Sequence, residues 1–175
     1  MVQDAGWTTT GSSSEEYEIT FEIPPPTEVR PKSPFPLPVI AAVRSLPETS
    51  TGGSGQQLVA HASLRDETGS SAAPGLTGSL TSSVRSRSGN TASGYGRFDP
   101  LLITQPGRYR LRIMLGIASV GGMMTKSYVD SDIITVHDEA RNQRPTPSQI
   151  TRLRCLIPEN IDIRPEDIED WQRLS

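Results

Sequence analysis

The chemistry open to this sequence lies mostly in its arginines. Arg108, Arg110 and Arg112 recur at every second position, and in a strand that spacing puts all three on one face. Two readings of the stripe stand side by side: the solvated outer face of an antiparallel sheet, or a cationic surface for an anionic partner. Arg30 and Lys32 flank Pro31 in a stretch that is proline-rich as far as Pro38. A loop so stiffened can offer its charges to phosphates at low entropic cost. Arg44 lies in the apolar run that follows, near a strand end, where it serves equally as surface charge or as a further contact.

Catalytic and metal-binding constellations are harder to assemble. The two histidines, His61 and His137, stand in no ligand spacing with cysteine or with each other. The single Cys155 sits within a helical pattern and is expected to be a small buried hydrophobe, since a nucleophile there would need a histidine partner. No serine occupies a G-x-S-x-G elbow. Gly52, Gly53 and Gly55 lack the lysine and the following helix of a phosphate loop. Asp66-Glu67 and Asp138-Glu139 fall in turns, where paired carboxylates are ordinarily solvated surface. The expectation is therefore a binding protein, with no enzyme activity, no cofactor, no metal and no small-molecule substrate. No compact set of aromatics accompanies the arginines, which disfavours single-strand recognition by stacking. Duplex DNA, held through its backbone, is the natural nucleic-acid partner.

Composition sets limits on the scaffold. Aromatics make up only 5% of the 175 residues, and Gly and Pro number 15 each, so the core must be lean and the connections long. No apolar run approaches the roughly 20 residues of a membrane span, and the N-terminus lacks the pattern of a secretory signal. With one cysteine, this points to a reducing compartment, nucleus or cytoplasm. Charge is uneven: residues 1–23 carry five acidic side chains and no basic one, residues 24–136 carry eleven basic and seven acidic, and residues 137–175 six basic and eight acidic. A mildly basic centre between acidic ends suits an anionic partner.

The elements that must position these charges follow from periodicity. Tyr17, Ile19, Phe21 and Ile23 alternate with polar residues, as in a strand with one buried face, and Pro24–Pro26 end it. Further strands are expected over Val39–Leu46, Gln57–Leu64, Leu76–Val84 (weaker), Phe98–Thr104, Arg108–Ile117 and Ser131–Val136, with 118–125 a glycine-rich connection. Thr146-Pro147 reads as an N-cap and first helical position; Ile150, Leu153, Leu156 and Ile157 then share a helical face, and Pro158 stops the helix. Ile161 and Ile163 could form a short strand. Many short strands with turn signals between them predict a mainly β fold, a β-sandwich, with a late helix packed on it. The chain divides into a polar tail over 1–16, expected to be disordered, one domain over 17–164, and an acidic, helix-compatible tail over 165–175.

The order of these segments resembles the velvet domain of fungal developmental regulators. RPKSPFPLPVIAAV (residues 30–43) resembles that family's basic loop and proline-rich strand entry. QQLVAHASLRDETG (56–69) resembles its strand and turn of the form A-S-L-x-D-E-x-G, and LTGSLTSSV (76–84) its next segment. FDPLLITQPGRYRLRIML (98–115) resembles its most recognisable block, with R-Y-R-L-R, and PTPSQITRLRCLIPENIDIR (145–164) its closing helix. The chain departs from the pattern in carrying only Arg30 and Lys32 in the loop, and Ile133-Ile134 where the family has Pro-Phe. The resemblance implies an Ig-like sandwich related to Rel-type DNA-binding domains. It implies a nuclear transcriptional regulator of fungal development and secondary metabolism, dimerising with itself or another velvet protein. It also implies DNA binding through the basic loop, with Arg30, Lys32 and Arg44 as the contacts. The competing expectation is a divergent velvet-like subunit that acts only by protein–protein heterodimerisation.

Overall fold

In the computed structural model, residues 17–45, 57–85, 94–119, 121–141 and 143–174 are described; the expected disordered tail lies outside them. Strand β9 (Gly107–Ser119) is the axis of the fold. Its alternating Leu111, Ile113, Leu115 and Ile117 are all buried, which fixes its register against neighbours on both sides. On one side lies β4 (Gln57–Asp66), followed by β6 (Thr81–Ser83). On the other lie β10 (Gly122–Asp130), paired to the later part of β9, and β11 (Ile134–Val136), paired to its start. The short β2 (Glu28–Val29) adds to β11 in parallel and completes a six-stranded sheet, with the order β2-β11-β9-β4-β6 and β10 paired to β9 beside this path.

A second sheet orders β1 (Tyr17–Ile23), β3 (Val39–Ser45) and β7 (Gly94–Phe98) as β1-β3-β7. A two-stranded piece joins β5 (Leu76–Gly78) and β8 (Leu101–Ile103). The main core lies between the two large sheets: Leu58, Ala60, Ala62 and Leu64 of β4 meet Val39, Ala41 and Val43 of β3 in one cluster with the β9 residues. The molecule is thus a β-sandwich.

Strand β3 is buried on both faces over Val39–Ala41. Ile40, of opposite parity to its neighbours, joins Ile23, Leu37, Ile150, Leu153, Ile163 and Ile168 in a second cluster. This cluster seats helix α1 (Pro147–Cys155) and helix α2 (Pro165–Leu174) on the outside of the smaller sheet. Thr146 caps α1: its hydroxyl accepts from the Gln149 N–H at 3.1 Å, while the Gln149 side chain accepts from the Thr146 N–H at 2.9 Å. Such a reciprocal box satisfies two otherwise orphaned donors.

Several expectations are corrected. Ile23 does not share the face of Ile19 and Phe21, because a bulge between Phe21 and Ile23 adds one residue and turns Ile23 to the cap side. The segment read as a connection over 118–125 instead holds the end of β9 (to Ser119) and the start of β10 (from Gly122); β10, largely exposed and without clean alternation, carries little period-two signal. Leu76–Val84 divides into β5 and β6, and the strand expected over Phe98–Thr104 is split between the last residue of β7 and the separate β8. Helix α1 ends at Cys155, and Pro158 lies inside a following 3₁₀ turn (Ile157–Glu159). Ile161 and Ile163 are buried without strand pairing. Cys155 is exposed, since five residues beyond Ile150 a helix has turned about 140° away from its buried stripe.

Candidate nucleic-acid interface

The loop from Arg30 to Pro38 is fastened to both cores. Phe35 is buried in the inter-sheet cluster and Leu37 in the cap cluster, and the Phe35 N–H donates to the Leu101 carbonyl at 2.9 Å. At its start, the Ser33 N–H donates to the Arg30 carbonyl at 3.2 Å, closing a turn with Pro31 and Lys32 at its centre. Lys32 has φ 65, so this is the turn type that takes proline at its second position and, by default, glycine at its third. The Lys32 N–H donates to the Ile103 carbonyl at 2.8 Å. A left-handed lysine costs roughly 1–2 kcal/mol relative to an unstrained residue. The loop is therefore held by its neighbours in a form that keeps the Lys32 side chain exposed.

Arg30 is exposed as well, and its Nε donates to the Ala140 carbonyl at 2.8 Å. That bond ties the loop to the segment between the sandwich and helix α1. Arg141 and Arg144 lie on that segment, both exposed. They are the cations that the sequence did not single out as part of this site. Glu28, Asp138 and Glu139 stand in the same region, Glu28 within 2.5 Å of His137 Nε2.

Arg44 does not join this group. It sits five residues along β3 from Val39, about 17 Å from the loop end at strand rise, and pairs with Glu18 of β1 across the register. A strand has two ends, and proximity in sequence to the loop placed Arg44 at the other one.

The stripe on β9 is committed to its own surroundings. Arg112 grips Asp130 with two bonds, Nε to Oδ1 at 2.7 Å and Nη2 to Oδ2 at 2.9 Å, and donates to the Gly69 carbonyl at 3.1 Å. Its guanidinium lies 4.1 Å from the centre of the Tyr128 ring. The hydrogen bonds to Asp130, opposed by burial, raise the Arg112 pKa above its ordinary value. Arg110 donates to the Glu67 carbonyl at 2.8 Å and the Ser131 carbonyl at 2.9 Å, and Arg108 pairs with Glu67 at 3.3 Å. Together with Arg65, which reaches the Gly69 and Ser70 carbonyls, they cover the 66–70 turn. Inside that turn the Asp66 carboxylate accepts from Thr68 and Ser70. The Thr68 hydroxyl, more than any other group, keeps the Asp66 pKa below the ordinary carboxylate range. The stripe fastens a turn and a crossover; as a surface for an anionic partner it is largely spent.

The remaining candidates are dispersed. His61 is exposed, with Nδ1 3.3 Å from the Thr81 hydroxyl, and His137 contacts Glu28. Among the described residues no three histidine, cysteine or carboxylate side chains gather as metal ligands, and no helix is long and apolar enough to cross a membrane. A polar cleft of about 350 Å³ between β6, β7 and Asp162 contains the Arg97–Asp99 pair at 3.0 Å. Burial raises the Asp99 pKa there, with Arg97 opposing.

Fold and site together define a β-sandwich with a helical cap and a cationic loop held at one end of its sheets. The chain matches no family model and no curated protein.

Proposed function

We propose that this protein is a velvet-type transcriptional regulator of the nucleus that contacts duplex DNA through the Arg30–Pro38 loop and works by binding rather than catalysis. The family reading rests on the segment order described above, with the Ig-like, Rel-like sandwich and the dimerisation that it implies. One observation carries the site: Lys32 occupies a left-handed turn position that glycine fills at less cost, and its ammonium is exposed at the tip of a loop fastened to both cores. Backbone strain retained at an exposed charge points to use of that charge. Arg30 stands beside it, while Arg44 is left out of the interface by its distance.

The test is retention of the full chain on mixed-sequence duplex DNA across a salt series. Each phosphate contact contributes about 0.9 to the slope of log K against log salt. Lys32→Gly should lower that slope by about this amount while leaving thermal stability equal or higher, because glycine accepts the φ that lysine resists. A folded wild-type protein that fails to bind at low salt would remove the proposal, as would an unchanged slope in Lys32→Gly.

A second reading, a velvet-like subunit acting only through a protein partner, is supported by β10, where Met123 and Met124 are each 57% exposed and Tyr128 is exposed beside them. Exposed apolar side chains grouped on one strand are a feature of protein-binding surfaces.

A further inference from the structure

Strands β2 and β11 run parallel, with Glu28 opposite Thr135 and Val29 opposite Val136. The chain therefore leaves both strands at the same end of the sheet. Arg30 and Lys32 follow β2; the segment 137–145, with Arg141 and Arg144, follows β11. The segment after β11 is fastened to β2 and to the residues on either side of it. The His137 N–H donates to the Val29 carbonyl at 3.1 Å, and His137 Nε2 meets Glu28 Oε2. Arg30 Nε donates to the Ala140 carbonyl. The Thr27 N–H donates to Gln143 Oε1 at 2.9 Å, and Gln143 Nε2 donates to Thr27 Oγ1 at 3.2 Å. The one carboxylate in this set, Glu28, meets His137, and among the described residues neither Arg141 nor Arg144 is ion-paired.

We propose that Arg141 and Arg144, which follow β11, form the second half of the DNA-facing surface and contact backbone phosphates alongside Arg30 and Lys32. This rests on the DNA reading of the loop. Two loop cations alone give a salt slope of only about 1.8, whereas four give about 3.6. The exposed Asp138 and Glu139, which share the segment, make the larger number more necessary. Phosphate contacts of this kind position the duplex and carry no sequence information of themselves.

The experiment measures binding of the full chain to a short mixed-sequence duplex by anisotropy over a salt series. Wild type is compared with R141A/R144A, with R30A/K32A, and with R44A/R173A. The last pair makes the same change in net charge at exposed positions on β3 and α2, paired to Glu18 and Asp170. The expected result is a slope reduced by about half in each of the first two variants and unchanged in the third. If R44A/R173A lowers the slope as much as R141A/R144A, net charge alone governs binding and the inference is overturned. If R30A/K32A lowers it and R141A/R144A does not, the loop binds DNA without the segment that follows β11, and this inference alone falls. If the folded wild type does not bind, the DNA reading falls first and takes the inference with it.

Discussion

Replacing Arg112 with alanine asks whether the β9 stripe is a fastening or an interface. The Arg112 and Asp130 side chains are 11% and 24% exposed, so neither is a freely hydrated surface charge. Truncating Arg112 strands the Asp130 carboxylate, removes a donor from the Gly69 carbonyl, and lifts a cation from the Tyr128 ring. Breaking a fully buried pair costs about 3–5 kcal/mol; residual solvent access here brings the expected loss to roughly 2–3 kcal/mol. For a chain of this size that is a fall in Tm of about 5–10 °C. Urea unfolding gives the free energy, and a cycle with Asp130→Asn isolates the pair, since contacting partners couple where independent sites add. Arg112→Lys should recover little, because an ammonium cannot reproduce the two-pronged grip. The DNA salt slope of the folded variant should stay at the wild-type value. Stability within about 0.5 kcal/mol of wild type would refute the fastening, as would additivity in the cycle. A slope lowered by about 0.9 would return the stripe to the interface.

Ile113→Ala, at a fully buried position in the centre of β9, should cost about 2–5 kcal/mol; a variant melting like wild type would overturn the placement of β9 at the core. Acid should weaken the protein in part through Asp167, whose carboxylate accepts the Arg164 N–H at the start of α2 and is held below its ordinary pKa chiefly by that bond. A lowered folded-state pKa contributes stability above the unfolded value and loses it as pH falls through the folded one. The free-energy gap between wild type and Asp167→Asn should therefore shrink as pH falls below about 5 in chemical denaturation; a gap independent of pH would show that the carboxylate's charge is not what holds the cap. Asp99, with its raised pKa, acts in the opposite sense and blunts the acid response.

The parts of this fold legible in the sequence are those in which period and burial coincide. In β9 and β4 the apolar face is continuous, and every second residue enters the same core. At α1, Thr146, Pro147 and Gln149 state the helix start in local chemistry. Legibility fails where one residue changes the pattern. The bulge before Ile23 keeps the alternation in sequence but reverses the face in space, and β10 pairs through backbone without an apolar stripe to announce it. The site divides in the same way. The loop cations Arg30 and Lys32 stand out beside prolines, but the neighbours of Arg30 come from about 110 residues later, through the parallel β2–β11 pairing. A two-residue strand such as β2 carries no periodic signal at all, so nothing local could have separated Arg141 and Arg144 from other surface arginines.

The two classes of arginine differ for a reason that lies in backbone geometry. On a regular strand, side chains at alternate positions stand close to the adjoining turns and crossovers, whose carbonyls and carboxylates lack strand partners. Arg108, Arg110 and Arg112 meet Glu67, Gly69, Asp130 and Ser131 in this way, because β9 lies beside the 66–70 turn and the entry to β11. A guanidinium so placed satisfies these acceptors and yields less electrostatic potential to solvent. In the loop, prolines remove donors and Phe35 and Leu37 take up the cores, so the chain is held by its apolar residues and a few backbone bonds. Arg30 gives one donor to the Ala140 carbonyl, and the Lys32 ammonium is not required for the hold. Regular spacing of charge along a strand therefore argues for internal use in this sandwich, while an irregular pair beside prolines argues for an outside partner. That is why Lys32, and not the more conspicuous stripe, is the residue on which the DNA reading should be tested first.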